Sequence, residues 1–541
     1  MKFGRPRLLL LICLILTISF CDLILTNEQT TNCNARYYGE NMMVCVCNAT
    51  YCDYFRLPER VVGNKVLVYT SSQSGLRFSK SEHTFINYGG PQHDNDGSVV
   101  LTIDSRKKYQ SILGFGGAIT DAVVLNYYNM TGPTKSAFLR SYYSELGINY
   151  NMIRIPMASC DFSTHVYSYD DHDNDFNLTH FELTVEDTHH KIAMIHEILN
   201  LTREDIKVYA SPWSAPGWMK STDSMIGGPL INEPNYFKTW ANYFVKFLKA
   251  YESYGIKIWG ITAQNEPEDG YNTKYPFQSM HFTPETGADF VLNYLCPLLK
   301  SNGFLPELAV MILDDNRPFI RKWADQILGK LNGSTECVKG IALHWYLNFI
   351  SPKIQSLVHL DYPNYFILSS EACTGSLPWE NNVKLGDWSR GEKYGRDIMQ
   401  GLTNWLSGWT DWNIMLNLNG GPNWVGNFVD SPVIFNVAKD EFYKQPMFYF
   451  LGHFSKFIPR GSVRIDVEMS NNTKSKFLAI AFETDHNYSI VILNTHNEAV
   501  NCKVVNADKS VDLTLEGRSI KSIIWPKLEK EYSQIRYNSI N

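Results

Sequence analysis

Lys257-Ile258-Trp259-Gly260-Ile261-Thr262-Ala263-Gln264-Asn265-Glu266-Pro267 is the stretch that decides the fold. It opens as a short run of β-branched and aromatic residues, the composition of a strand. It closes on a polar pair and a proline, which cannot continue a central ladder. Glu266 is therefore expected at a strand's C-terminal tip. Active sites of parallel-strand barrels gather at those tips, so the segment predicts a barrel enzyme with Glu266 as its general acid/base.

Strand-like runs alternate with helical patterns from Tyr109 onward, the rhythm of βαβ units. Eight strands are expected, over 112–119, 150–156, 206–211, 258–263, 308–313, 340–345, 365–370 and 412–418. Helical patterns are expected near 186–200, 236–248, 284–301, 319–331 and 391–406, with apolar residues at three and four spacing. Eight units in roughly 300 residues predict an α/β chain with a (β/α)8 TIM barrel. Before the barrel, 66–69, 75–78 and 99–103 read as strands. After it, 422–443 reads as an antiparallel excursion and Met447 to Phe457 as a closing helix. Short strands resume at 478–481, 489–493 and 519–524, so an appended β-sandwich built from both ends of the chain is expected.

A retaining glycosidase needs two carboxyl groups roughly 5–5.5 Å apart. The partner for Glu266 is expected at the tip of Tyr365-Phe366-Ile367-Leu368-Ser369-Ser370-Glu371, the seventh strand. Glu266 must hold a proton and is expected to have a raised pKa; Glu371 must be ionised and is expected near donors or cations. Asn232-Glu233-Pro234 repeats the Asn-Glu-Pro triplet but follows a turn, so it reads as a helix start with its glutamate at the positive end of the dipole. Asn265 reads as a contact for a sugar hydroxyl or a cap on its own turn. Other tips supply Arg154, Asp161, Trp213, His344, Tyr346 and Trp412. Aromatic rings can stack on a pyranose and polar groups can bond its hydroxyls. Singly such residues are more often core; their concentration at one end of the barrel carries the reading.

The chain has 541 residues, 44% hydrophobic and 19% charged, with a net charge of -6. These values fit a globular protein of two or three domains and argue against a nucleic-acid partner. Lys2, Arg5 and Arg7 precede an apolar run to Phe20, the pattern of a secretory signal peptide, with a signal anchor as the competing reading. Four of the 11 cysteines, Cys33, Cys45, Cys47 and Cys52, crowd one segment. In an oxidising compartment they read as two disulfides; of three connectivities, Cys33–Cys45 with Cys47–Cys52 is favoured. Most of Cys160, Cys296, Cys337, Cys373 and Cys502 are expected to be free and buried. Sequons at Asn48, Asn129, Asn177, Asn200, Asn332, Asn471 and Asn487 predict N-glycans. No metal or cofactor is expected: there is no His-Glu-X-X-His, and Gly114-Phe115-Gly116-Gly117 lacks dinucleotide spacing and reads as a tight turn.

Longer motifs then carry a resemblance. Arg154-Ile155-Pro156-Met157-Ala158-Ser159-Cys160-Asp161-Phe162, Gly408-Trp409-Thr410-Asp411-Trp412-Asn413, Gly420-Gly421-Pro422-Asn423-Trp424-Val425 and Tyr443-Lys444-Gln445-Pro446-Met447-Phe448-Tyr449 resemble the lysosomal glucosylceramidases (acid β-glucosidases) of glycoside hydrolase family 30 over essentially the whole mature chain. The resemblance implies Glu266 as acid/base and Glu371 as nucleophile. It implies glucose contacts from Asp161, Trp213, Asn265, Trp412 and Asn427, and an entrance shaped by Tyr275, Phe277, Tyr346 and the 376–380 loop. It implies a signal peptide over 1–26, a small disulfide-bonded antiparallel β domain over 27–57 and 413–445, an Ig-like sandwich over 58–108 and 461–541, and a catalytic barrel over 109–412 and 446–460. It further implies glucosylceramide as a glycosphingolipid substrate at a membrane surface, a saposin-type activator, acidic phospholipid, a lysosomal sorting receptor, and a place in the lysosomal lumen or outside the cell. The chain departs from the family pattern at Gln264, where vertebrate members usually carry Glu, at Ser279, which replaces a cysteine, and in the 220–234 loop. The alternatives are a polysaccharide-cleaving barrel hydrolase and a catalytically silent sugar- or lipid-binding protein.

Overall fold

A computed structural model describes residues 30–57, 60–90, 98–470 and 477–527. The signal segment over 1–26 and the sequon at Asn471 lie outside the described residues. Eight parallel strands close into a barrel in chain order: Gly114–Ala118, Met152–Met157, Lys207–Pro212, Ile258–Thr262, Ala309–Asn316, Val338–His344, Phe366–Glu371 and Leu406–Asn413, which pairs back with the first. Helices fill the intervals, among them Pro234–Ser253, whose first-turn proline follows the Glu233 cap, and Trp388–Thr403, capped by the Asp387 side chain. The second Asn-Glu-Pro therefore starts a helix, as its context indicates.

Three expectations need correction here. The eighth strand is Leu406–Asn413, not 412–418. Its glycine misleads a reader looking for apolar runs: a Cβ on Gly408 would lie 2.4 Å from the Gly114 carbonyl oxygen. Gly114–Ala118 is the first barrel strand, inside the expected 112–119, so only the tight-turn reading of its glycines falls; a Cβ at Gly116 would sit 2.0 Å from the Met152 carbonyl oxygen. Glycine there admits a neighbouring backbone. Residues 75–78 form a bend leading into the strand Ser79–Thr84.

The barrel interior is layered because side chains on one strand repeat every two residues. Met152, Tyr209, Met311, Ala342 and Leu368 fill the N-terminal layer. Two residues further along four of these strands stand Arg154, Ser211, His344 and Ser370, all buried. The sequence thus changes from apolar to polar at one height around the barrel.

A ten-stranded sheet combines Lys65–Ser72, Ser79–Thr84 and Val99–Ser111 with six strands from Val463 to Pro526 and the short Ile86–Asn87. Val66, Val68, Ile490, Ile492 and Ile523 share one apolar core with Val99, Leu101, Val504 and Leu513, so the sheet closes over itself as a sandwich. A five-stranded sheet joins Ala35–Gly39 and Met42–Cys47 to Glu441–Lys444, Val433–Asn436 and Leu416–Asn417. It carries the disulfides Cys33–Cys45 and Cys47–Cys52, the favoured pairing. Cys296 and Cys337 form a third disulfide, tying a barrel helix to the lead-in of the sixth strand, while Cys160, Cys373 and Cys502 are free and buried. Asn129, Asn177, Asn200 and Asn332 are exposed; Asn48 and Asn487 are half-buried. Among the described residues no helix is long and apolar enough to cross a membrane.

Candidate active site

Both glutamates sit at the mouth of the barrel. Glu266 follows the fourth strand in a left-handed backbone conformation (φ 42°), rare for a residue with a side chain. Its N–H donates to the Asp314 carbonyl at 2.9 Å and the Asp269 N–H donates to its own carbonyl at 3.1 Å, which holds the strained turn. Glu371 ends the seventh strand, in register with His344. One carboxylate oxygen of Glu266, one of Glu371 and a ring nitrogen of His344 all lie within 4.8 Å of one another. That spacing fits the roughly 5–5.5 Å of a double-displacement pair and is shorter than the ~6.5 Å or more that an inverting pair leaves for water.

Beneath them lies the buried polar layer. Arg154 donates to Glu371 Oε2, to Asn265 Oδ1 at 2.7 Å and to Asp314 Oδ2 at 2.9 Å. His344 places Nδ1 3.0 Å from Glu266 Oε1 and Nε2 3.1 Å from Asp314 Oδ1. Tyr346 donates its phenol hydrogen to Glu371 Oε1 at 2.7 Å. Asp314 also accepts from Thr262 at 2.7 Å and Ser370 at 2.6 Å. Asp314 is the residue that sequence reasoning missed. The expected fifth strand stopped at Leu313, whereas the strand runs on through Asp314 to Asn316. The usable signal was an acidic residue directly beyond an apolar strand, as at Glu371.

Charge balance explains the protonation states. Arg154 and His344 bring two positive charges, and Asp314 and Glu371 bring two negative ones. Within this set of groups an ionised Glu266 would be a third anion against two cations in a buried site. Consistently, burial and then the Asp269 carboxylate push the Glu266 carboxyl well above its usual range, against the pull of His344. Burial works against a charged His344, yet Glu371, Asp314 and Glu266 raise it well above an ordinary imidazole. Asp314 is buried too, but Arg154 and His344 hold it well below the usual carboxylate range.

Above this layer opens a cavity of about 390 Å³. Its walls include Asp161, Trp213, Tyr275, Phe277, Tyr346, Trp412 and Asn427, together with Ser376 and Leu377 of the 376–380 loop. Trp213 and Trp412 stack with ring centres 5.1 Å apart, and the Arg154 guanidinium lies 5.0 Å from the Trp213 ring centre. Asp161 accepts from Asn427 at 2.9 Å, while burial pushes its carboxyl up to about 7. Arg154 and His344, expected among the sugar contacts, do not line the cavity. They are buried below the glutamates and act on them. Asn265 is also almost wholly buried, with its side-chain Oδ1 held by Arg154. The Gln264 side-chain amide donates hydrogen bonds of 2.9 Å to the backbone carbonyls of Trp213 and Asn265.

Two facing carboxyl groups at the C-terminal mouth of a (β/α)8 barrel, in an aromatic-walled polar cavity, define a carbohydrate-cleaving barrel enzyme. The glycosyl hydrolase family 30 TIM-barrel domain matches residues 112–458, and the glycosyl hydrolase family 30 beta sandwich domain matches residues 461–523. The chain belongs to glycoside hydrolase family 30. It is 43% identical to the lysosomal acid glucosylceramidase of Mus musculus over 91% of this chain and 95% of that protein. Among solved structures it is similar to SrfJ from Salmonella typhimurium (TM-score 0.77, 26% identity, covering 86% of this chain and all of that one). It is also similar to the endo-β1,6-glucanase BT3312 (TM-score 0.74, 26% identity, 86% of this chain and 100% of that one).

Proposed function

We propose that the protein is a retaining β-glucosidase that cleaves glucosylceramide to glucose and ceramide. The observation that carries the reading is the spacing of Glu266 and Glu371, within 4.8 Å over a shared buried charge network; the 43% identity to a glucosylceramidase supplies the substrate. Glu371, held by Arg154 and Tyr346, attacks the anomeric carbon. Glu266 gives its proton to the departing ceramide oxygen, so the glycosidic bond breaks as an ester to Glu371 forms. Esterification removes the Glu371 charge, and the network then tolerates an anion at Glu266. Glu266 accordingly takes a proton from water, which attacks the ester and frees glucose with its original configuration.

Trp213 and Trp412 provide flat apolar faces for the pyranose, while Asp161 and Asn427 offer polar contacts to its hydroxyls. The same reading places the protein in the lysosomal lumen, reached through the secretory pathway with a sorting receptor. There it works on a membrane-borne lipid with a saposin-type activator and acidic phospholipid. The test compares turnover of glucosylceramide with that of soluble β-1,6-glucan, and follows a fluorogenic β-glucoside from pH 4 to 7. Glucosylceramide is expected to be the better substrate, with an optimum near 5. Preferential cleavage of the glucan would move the protein to the polysaccharide hydrolases of its family.

A further inference from the structure

Two acids follow Glu266 in the chain, and the structure separates them. The Glu268 carboxylate faces Trp323, whose Nε1 lies 3.4 Å from Glu268 Oε1. Asp269 instead lines the same cavity as Glu266. Its backbone is fixed: the Asp269 N–H donates to the Glu266 carbonyl at 3.1 Å, and the Gly228 N–H donates to the Gly270 carbonyl at 2.7 Å. A Cβ on Gly270 would lie 2.2 Å from the His281 backbone nitrogen, so this turn is packed tightly against its neighbour.

Other charged and titratable groups also surround Glu266. His344 approaches from the sixth strand and Glu371 from the seventh. Asp314 and Asp315 of the fifth strand lie behind His344, and Tyr275 stands in the wall beyond. Arg154 is engaged by Glu371 and Asp314. His344 is thus the cation that draws the proton off Glu266, and Asp269 is an anion on the cavity side that opposes it.

We propose that Asp269 is a positioning residue for the acid proton: it shares the cavity with Glu266, offsets His344, and keeps Glu266 protonated while the aglycone is bound. The inference rests on the reading of Glu266 as the acid. Asp269 is half-buried in the open site. An aglycone that displaces water from the cavity lowers the local dielectric and strengthens its field on Glu266. Its influence is therefore greater in the complex than in the free enzyme.

The test is the pH profile of hydrolysis of a fluorogenic β-glucoside by wild type, D269N, D269S, D269E and E266Q. An anion beside a carboxyl raises its pKa, so its removal must lower it. D269N and D269S are expected to shift the basic limb down by about one pH unit, with the larger shift in kcat and the acidic limb unchanged. D269E is expected to restore the limb. A basic limb unmoved in both neutral variants, or displaced equally in D269E, would overturn the inference. If E266Q keeps the wild-type basic limb, the assignment of Glu266 falls and this inference with it. A limb that vanishes in E266Q yet ignores Asp269 overturns the inference alone.

Discussion

Glu371→Gln lowers turnover of any β-glucoside by about four orders of magnitude or more, while the protein still folds. The amide keeps the volume of the carboxylate, but Tyr346 and Arg154 donate to different oxygens of Glu371, so its single oxygen accepts from only one of them, and it cannot form the ester. Glu266→Ala is expected to behave differently. It leaves the nucleophile intact, so a substrate with a good phenolic leaving group still forms the ester, whereas glucosylceramide, whose alkoxide must be protonated, does not react. Added azide then separates the roles. It should restore Glu266→Ala with formation of the β-glucosyl azide, because the ester to Glu371 is opened from the face opposite to it. Measuring both variants on aryl and lipid substrates checks the assignment. Glucosylceramide turnover by Glu371→Gln at a normal rate would reverse it.

Asp314→Asn is the second large effect, and it reaches stability as well as activity. Asp314 accepts from Arg154, Thr262, His344 and Ser370 within the barrel. An amide there removes the negative charge between two buried cations and turns an NH₂ group toward groups that are themselves donors. Breaking one partner of a buried ion pair costs about 3–5 kcal/mol. Arg154 and His344 also orient Glu371 and Glu266, so kcat is expected to fall by at least about 100-fold. Thermal unfolding and kcat, measured on one preparation, check both halves. A variant that melts and turns over like wild type would show that the layer beneath the glutamates is dispensable.

The two glutamates were legible because each ends an apolar run at a strand tip, and the chemistry demanded a pair. The barrel was legible because its period alternates between two and near four. Asp314 was harder, because Leu313 and Asp314 adopt left-handed backbone (φ 72° and 56°) and the strand runs through an irregularity that no alternation pattern marks. The eighth strand was misplaced because Ile414-Met415-Leu416 is more apolar than Leu406-Ser407-Gly408, although only the latter lets the first strand approach. Arg154 and His344 were found as residues, but the structure sets them outside the cavity lining. Strand parity puts them inside the barrel, but only the three-dimensional register shows that the glutamates lie above them. Cys296 and Cys337, 41 residues apart on different elements, offer no local pairing signal.

Underlying every step is one claim: Glu371, and then water activated by Glu266, attack the same anomeric carbon from opposite faces, so configuration is kept through two inversions. Proton NMR of the glucose released in the first minutes from a β-glucoside, before mutarotation mixes the anomers, tests it directly. β-Glucose is expected first, with the α anomer appearing later by mutarotation. If α-glucose is the first product, a single displacement by water is at work and the paired-carboxylate mechanism is wrong.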